Sequence, residues 1–209
     1  KLSADEFGIA DNVLPFDNLD KNFLSKDALF SEWPAVDAII GNPPFQSKNK
    51  MVQEFGRKYV DQLRKSFPGV PGRADYCVYW LRKSHDNLGE NGRAGLVGTN
   101  TIRQNFSRVG GLDYITNTGG TIVEAVSNQE WSGDAAVHVS IVNWIKGEDK
   151  RKKKLFFENG STGEWTVYEL DVINSSLSAN IDVSAAKKLM VNVNSGLCFW
   201  KNYDIKACS

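Results

Sequence analysis

Apolar residues fall in short blocks along this chain, and the spacing inside each block changes from one to the next. Val36-Asp37-Ala38-Ile39-Ile40-Gly41 is an apolar run too short for a helix, halted by Gly41 and Pro43-Pro44. It predicts a buried strand that ends in a stiff loop. Met51, Phe55, Tyr59, Leu63 and Phe67 recur every four residues, which predicts a helix from Met51 to Phe67, closed by Phe67-Pro68-Gly69-Val70-Pro71-Gly72. Ala74, Val78, Leu81, His85 and Leu88 share one side of a second helix, Ala74 to Leu88, which Gly89 stops. Arg93 to Thr99 reads as a strand, and Thr101 to about Val109 as a short helix before a Gly110-Gly111 turn. Thr121 to Val126 and Ala135 to Ile145 read as an antiparallel pair of strands joined by the loop Ser127 to Asp134. A polar hairpin, Leu155 to Leu170, and a helix near Ser184 to Val191 follow.

This order of elements describes an α/β protein in which the chain supplies half of an open sheet, with further strands expected before Val36. The 209 residues suffice for one domain, and an apolar fraction of 41% with six Trp supplies a core. No stretch reaches the roughly eighteen apolar residues of a membrane span. The opening Lys1-Leu2-Ser3-Ala4-Asp5 has neither an initiating Met nor a signal-peptide pattern, and reads as an internal cut in a longer protein. Cys77, Cys198 and Cys208 lack metal-ligand spacing, the usage of a reduced, cytoplasmic protein. Net charge is zero, which argues against a free-standing nucleic-acid binder. Charge is nonetheless uneven: seven Lys/Arg against three Asp/Glu lie between Gln46 and Asp75, and Lys150 to Lys154 is an unbroken basic run.

Asn42-Pro43-Pro44-Phe45, directly after the first strand, is the strongest chemical signal. Functional loops of open α/β sheets gather at the carboxyl ends of strands. An exocyclic base amine is a poor nucleophile because its lone pair is delocalised into the ring. Two acceptors on its two N–H bonds draw the nitrogen toward a tetrahedral shape and free that pair. The Asn42 side-chain oxygen and the Pro43 carbonyl could serve, with Pro44 fixing the carbonyl's direction. Phe45 would offer a flat face to a base rotated out of the duplex. The alternative is a strand-ending turn with Phe45 in the core.

Asp37-Ala38-Ile39-Ile40-Gly41-Asn42-Pro43-Pro44-Phe45 resembles motif IV of the gamma-class DNA amino-methyltransferases, and is especially similar to the methyltransferase portion of Type IIL (Mme-type) restriction–modification enzymes. The likeness continues through Gly72-Arg73-Ala74-Asp75-Tyr76-Cys77-Val78-Tyr79-Trp80, Gly92-Arg93-Ala94-Gly95-Leu96-Val97, Asn100-Thr101-Ile102-Arg103, and Glu130-Trp131-Ser132-Gly133-Asp134-Ala135-Ala136-Val137-His138-Val139-Ser140. It spans roughly Asn12 to Trp144. The resemblance implies the C-terminal half of a Rossmann-like, S-adenosylmethionine-dependent methyltransferase sheet (residues 1–147), then a β-hairpin and helical extension (148–209) leading toward a target-recognition domain. It implies direct, in-line methyl transfer to N6 of a flipped adenine, with cytosine N4 left open. Asn42, Pro43 and Pro44 would form the catalytic loop and Phe45 would stack on the base, joined by Trp131, which is otherwise a hairpin or core Trp. Asp27 would accept a hydrogen bond from the cofactor's adenine amine, and is otherwise an ordinary loop or N-cap Asp. Lys48, Lys50, Arg103 and Arg108 would touch the backbone of double-stranded DNA, unless they are plain surface residues.

One departure from the family pattern bears on activity. The Gly-rich cofactor loop and the ribose-binding acid are absent before Asn42, and Gly110-Gly111 and Gly119-Gly120 read as turns. The remainder of the polypeptide is therefore expected to supply the main cofactor loop, and this segment alone is expected to be inactive. Whether a nuclease domain is also fused stays open. Glu148-Asp149-Lys150 lacks the acidic partner a nuclease metal site needs, and the basic run after it reads as a solvated hairpin turn. No metal is expected, and His85 and His138 read as structural. Two rival readings remain: methylation of a protein glutamine or an RNA base, and a non-catalytic binding module.

Overall fold

In the computed structural model, which describes residues 23–131, 137–159 and 163–180 and the backbone of 197–199 and 205–207, six strands form one mixed sheet. In chain order the elements are β1 (Ala38–Gly41), helices α1 (Lys48–Phe55), α2 (Arg57–Ser66) and α3 (Cys77–Asn87), and β2 (Arg93–Thr99). A 3-10 turn (Asn100–Arg103), α4 (Asn105–Gly110), α5 (Leu112–Asn117), β3 (Gly120–Glu130), β4 (His138–Lys146), β5 (Lys153–Asn159) and β6 (Glu164–Leu170) follow. Leu197–Phe199 and Ile205–Ala207 pair antiparallel in a separate sheet.

Across the main sheet the order is β1-β2-β4-β3-β5-β6. β1 runs parallel to β2, and β3 to β5, while β4 is antiparallel to both β2 and β3. β6 is antiparallel to β5. Thus β1, β2, β3 and β5 point one way, with helices in the connections from β1 to β2 and from β2 to β3, which is the Rossmann-like α/β arrangement the sequence led us to expect.

The helices bury one side of this sheet. Ala94, Leu96 and Gly98 of β2 alternate inward, as do Val142 and Trp144 of β4. Ala94, Leu96, Val142 and Trp144 share one buried cluster with Met51, Val60 and Leu63 of α1 and α2, Cys77, Val78 and Leu81 of α3, and Leu112 and Ile115 of α5. The expected inward side of the second helix is borne out, since Ala74, Val78, Leu81, His85 and Leu88 are all buried. Lys146 closes that helix: its ammonium donates to the carbonyls of His85 (2.9 Å) and Leu88 (2.8 Å), groups left without intrahelical partners at a helix end.

Several expectations need correction. The first strand is not buried: β1 lies at the edge of the sheet and most of its residues are exposed. The single helix from Met51 to Phe67 is two, α1 and α2, because Gly56 adopts φ 80° and ψ 155°, a conformation open essentially to glycine alone. The helix from Thr101 to Val109 is instead the 3-10 turn and α4, separated at Gln104, and α5 follows where only a Gly-Gly turn was expected. β3 runs on to Glu130 through register shifts after Ile122 and Val126, so its end is strand where a loop from Ser127 was expected. The hairpin is present, but β5 bonds to β3, so it extends the main sheet. The helix expected near Ser184–Val191 lies outside the described residues.

Acids and carbonyls answer part of the basic run Lys150 to Lys154. Arg151 pairs with Asp149, Lys152 reaches Asp171 at 2.7 Å, and buried Lys153 donates to the carbonyls of Asp149 and Arg151. The Arg151 guanidinium holds the Asp149 carboxyl well below the usual carboxylate range. Among the described residues no helix is long and apolar enough to cross a membrane.

A Cβ added at Gly56 meets no atom within 4 Å, so a substitution there tests backbone strain alone. Gly56→Ala should lower the unfolding free energy by about 1–3 kcal/mol, read from denaturant unfolding. An unchanged or raised stability would mean that one continuous helix crosses this point.

Candidate active site

Gly41 ends β1 in register with Leu96 of β2, and the next residues leave the sheet at its carboxyl edge. Asn42 and Pro44 are exposed, Pro43 is buried and Phe45 is half-buried. The expected alternative was a strand-ending turn with Phe45 in the core; Phe45 is half-buried instead. The described residues form no hydrogen bond to the Asn42 side chain or to the Pro43 carbonyl. Phe45 meets the half-buried Trp131 edge to face, with ring centroids 5.8 Å apart and planes at 84°. Trp131 is held by its own N–H, which donates to the Val137 carbonyl at 2.9 Å across the mouth of the β3–β4 connection. Two aromatic residues 86 positions apart in sequence therefore flank the same loop.

Asp27 lies on a turn that α3 pins in place. Lys83 donates to the carbonyls of Leu29 (2.9 Å) and Ser31, and its ammonium sits 5.1 Å from the Trp33 ring centre. One Asp27 oxygen accepts from the Leu29 N–H at 2.9 Å; the other accepts from the Tyr59 hydroxyl at 2.9 Å. Because a carboxylate offers only acceptors here, the Tyr59 proton points at Asp27, and Tyr76 must donate to Tyr59 across their 2.6 Å contact. Burial, then the bonds to Tyr76 and Asp27, pushes the Tyr59 phenol well above its ordinary range, so it stays a donor. Phe30 packs on Tyr59 (5.3 Å) and Phe55 on Tyr76 (4.6 Å), making an aromatic wall beside the carboxylate.

The four basic candidates differ. Lys50 is exposed and Lys48 is half-buried. Arg103 is half-buried with its guanidinium donating to Asn100, and Arg108 pairs with Asp113 at 3.4 Å. Each arginine thus secures its own turn.

Sequence reasoning gave no role to Asp75, Thr99, Thr101 or Arg73, yet all four gather beside the loop. Asp75 accepts from the Lys48 N–H (3.1 Å) and from the hydroxyls of Thr101 (2.5 Å) and Thr99 (3.4 Å). Arg73 lies 5.1 Å from the Phe106 ring centre, and a hollow of about 210 Å³ opens between Lys48, Arg73, Asp75, Thr101, Gln104 and Phe106. The available signal was an acid just before an apolar helical run, paired with hydroxyls just after a strand.

Residues 2–158, well over half of the chain, match the family model described as "MmeI, DNA-methyltransferase domain". Among solved structures, the chain is similar to the Type IIL restriction-modification enzyme MmeI in complex with DNA, at 26% identity and a TM-score of 0.60. That match covers 70% of this chain and 20% of the other, so the chain spans about a fifth of that enzyme's length. The methyltransferase subunit of a type I restriction-modification system from Streptococcus thermophilus also matches, at 14% identity and a TM-score of 0.40, over 63% of this chain and 28% of its own. No curated protein matches the chain. With strand, loop and flanking aromatics placed in one site and the family model running across all of them, the chain belongs to the MmeI DNA-methyltransferase domain family.

Proposed function

We propose that this chain is the target-amine half of a DNA adenine-N6 methyltransferase within a restriction–modification polypeptide. One observation carries the reading. Asn42 is exposed at the carboxyl end of β1, and neither its amide nor the carbonyl of the buried Pro43 beside it takes a donor from the described residues, so both oxygens keep acceptor capacity for an amine. The similarity to a DNA complex of MmeI supports double-stranded DNA as the substrate.

The chain's work is orientation. Asn42 Oδ1 and the Pro43 oxygen accept the two amine hydrogens, and the lone pair is turned out of the ring plane. The Pro44 ring restricts Pro43 to extended conformations, which holds the oxygen's direction. Phe45 and Trp131 cover the faces of the extruded base, and their edge-to-face contact must part if the base enters between them. No base need be placed on this chain if the amine proton leaves after nitrogen has attacked. Lys48 and Lys50 stand nearest the loop in sequence and are assigned to DNA phosphates; Arg103 and Arg108 support the turns beneath.

S-adenosylmethionine, when bound, supplies an electrophilic methyl on a sulfonium. The described residues fit its adenine end. A carboxylate has about four lone-pair sites, and Asp27 commits two of them to short bonds, leaving acceptor capacity for an adenine amine beside the Phe30, Tyr59, Phe55 and Tyr76 rings. The remaining contacts to the cofactor are assigned to other parts of the polypeptide.

Hydrolysis of DNA treated with the full-length enzyme and S-adenosylmethionine should release 6-methyladenine; N4-methylcytosine in its place would overturn the choice of base. In that enzyme Asn42→Ala should slow methylation by about 10²–10³ with the fold intact, and retention of more than about a tenth of the rate would contradict the role. Phe45→Ala and Trp131→Ala should each weaken binding of DNA carrying 2-aminopurine at the target by about 1–3 kcal/mol and lower its fluorescence gain. Unaltered affinity and fluorescence in both variants would remove the stacking role.

A further inference from the structure

We infer that Asp75 is a positioning residue for methyl transfer: its carboxylate clamps the far end of the Asn42–Ser47 loop to the turn after β2, and so fixes where the Asn42 and Pro43 oxygens stand. The inference rests on the function proposed above, and it assigns work to a residue that touches neither base nor cofactor.

The near end of the loop is held by the sheet, through the Gly41–Leu96 register. The far end enters α1 with Ser47 at the N-cap, but the Ser47 side chain makes no capping bond. The leading N–H groups of a helix have no partner within it and need one from outside. The Lys48 N–H finds one 27 residues away, in Asp75 Oδ1 at 3.1 Å. The neighbouring Tyr76 N–H donates to the Gln46 carbonyl at 2.9 Å, so residues 75 and 76 grip the loop from both sides of Ser47.

The other carboxylate oxygen faces the second loop of the site. Asp75 Oδ2 accepts from Thr101 at 2.5 Å and from Thr99 at 3.4 Å, and the two hydroxyls lie 2.8 Å apart. Behind them, the Asp75 N–H donates to Ser107 of α4 at 3.1 Å. One half-buried carboxyl group therefore joins the loop after β1, the turn after β2 and the start of α3. Charge favours the arrangement, since a negative group at the first turn of α1 meets the positive end of that helix. Without the clamp, the loop's far end keeps the Gln46 bond alone and can pivot about it. A reacting group displaced by about 1 Å can lose on the order of 10² in rate while binding survives.

The test uses the full-length enzyme, measuring single-turnover methylation of DNA, equilibrium binding of S-adenosylmethionine and of DNA, and amide exchange across 42–51. Asp75→Ala should slow methyl transfer by about 10², leave both affinities in place and speed exchange at Lys48. Asp75→Asn should recover most of the rate, because an amide can accept from the Lys48 N–H and donate to Thr101. Thr101→Val, at an exposed position, should give a smaller fall of the same kind, and it decides the matter should Asp75→Ala not fold. An unchanged rate, a fall that follows the affinities, or an Asn variant as slow as the Ala variant overturns the inference. A wild-type enzyme that methylates no DNA sinks the function proposed above, whereas the exchange arm still decides whether Asp75 holds the loop.

Discussion

Ile40 lies beside Gly95 and Gly41 beside Leu96, with both strands running the same way, so the chain leaves β1 and β2 at one end of the sheet. Parallel pairing requires the crossover between the strands to travel back along the sheet, and α1, α2 and α3 do so while burying Met51, Val60, Leu63, Val78 and Leu81. The loop bearing Asn42 and the turn bearing Thr99 and Thr101 become neighbours as a consequence. Reverse one strand and these groups would sit at opposite ends of the molecule. The chemistry assigned to Asn42 and Pro43 thus depends on a four-residue strand whose neighbour does most of the burying: β2 contributes Ala94, Leu96 and Gly98 to the interior, while Ile40 is 89% exposed at the sheet's edge.

Local order in the sequence revealed what local order produces. The boundaries of β2 and the inward side of α3 follow from alternation and from helical spacing, and the loop after β1 declared itself by two prolines placed after a β-branched run. The break at Gly56 escaped because the every-four spacing continues across it. Phe55 and Tyr59 still meet, at 5.5 Å, although they belong to different helices. α5 escaped for lack of length: Leu112 and Ile115 are its only buried residues, and Gly110 and Gly111 before it signal a turn. Strand order had no local signature, because β4 inserts between β2 and β3 against the order of the chain.

The candidate site divides the same way. Asn42 to Phe45 could be read because one short segment carries both the chemistry and its stiffness. Trp131 needed the resemblance, since nothing between Phe45 and Trp131 in the sequence foretells a 5.8 Å ring contact. Asp75 was missed although it lies in a segment that carries the family resemblance, since its partners at 48, 99 and 101 come together only when the crossover closes. Asp27, like Trp131, needed the resemblance, although its bond from the Leu29 N–H is local.

The two carboxylates of the site illustrate how one functional group serves two purposes. Asp75 is surrounded by donors from its own chain, one amide and two hydroxyls, and its acceptor capacity is largely consumed in holding backbone together. Asp27 is exposed, and both of its short bonds, from Leu29 and Tyr59, orient the group while leaving lone pairs facing outward. The Tyr76–Tyr59–Asp27 chain adds a directional effect. Tyr76, at the start of the segment that leads into α3, sets the Tyr59 proton, and that proton sets the Asp27 carboxylate. The Asp75 carboxylate and the Tyr76 hydroxyl therefore act in opposite directions from adjacent positions, one on the loop assigned to the target amine and the other on the acid assigned to the cofactor. A displacement of this segment would disturb both together, so under the assigned roles the positions of methyl donor and acceptor would be coupled through two neighbouring side chains.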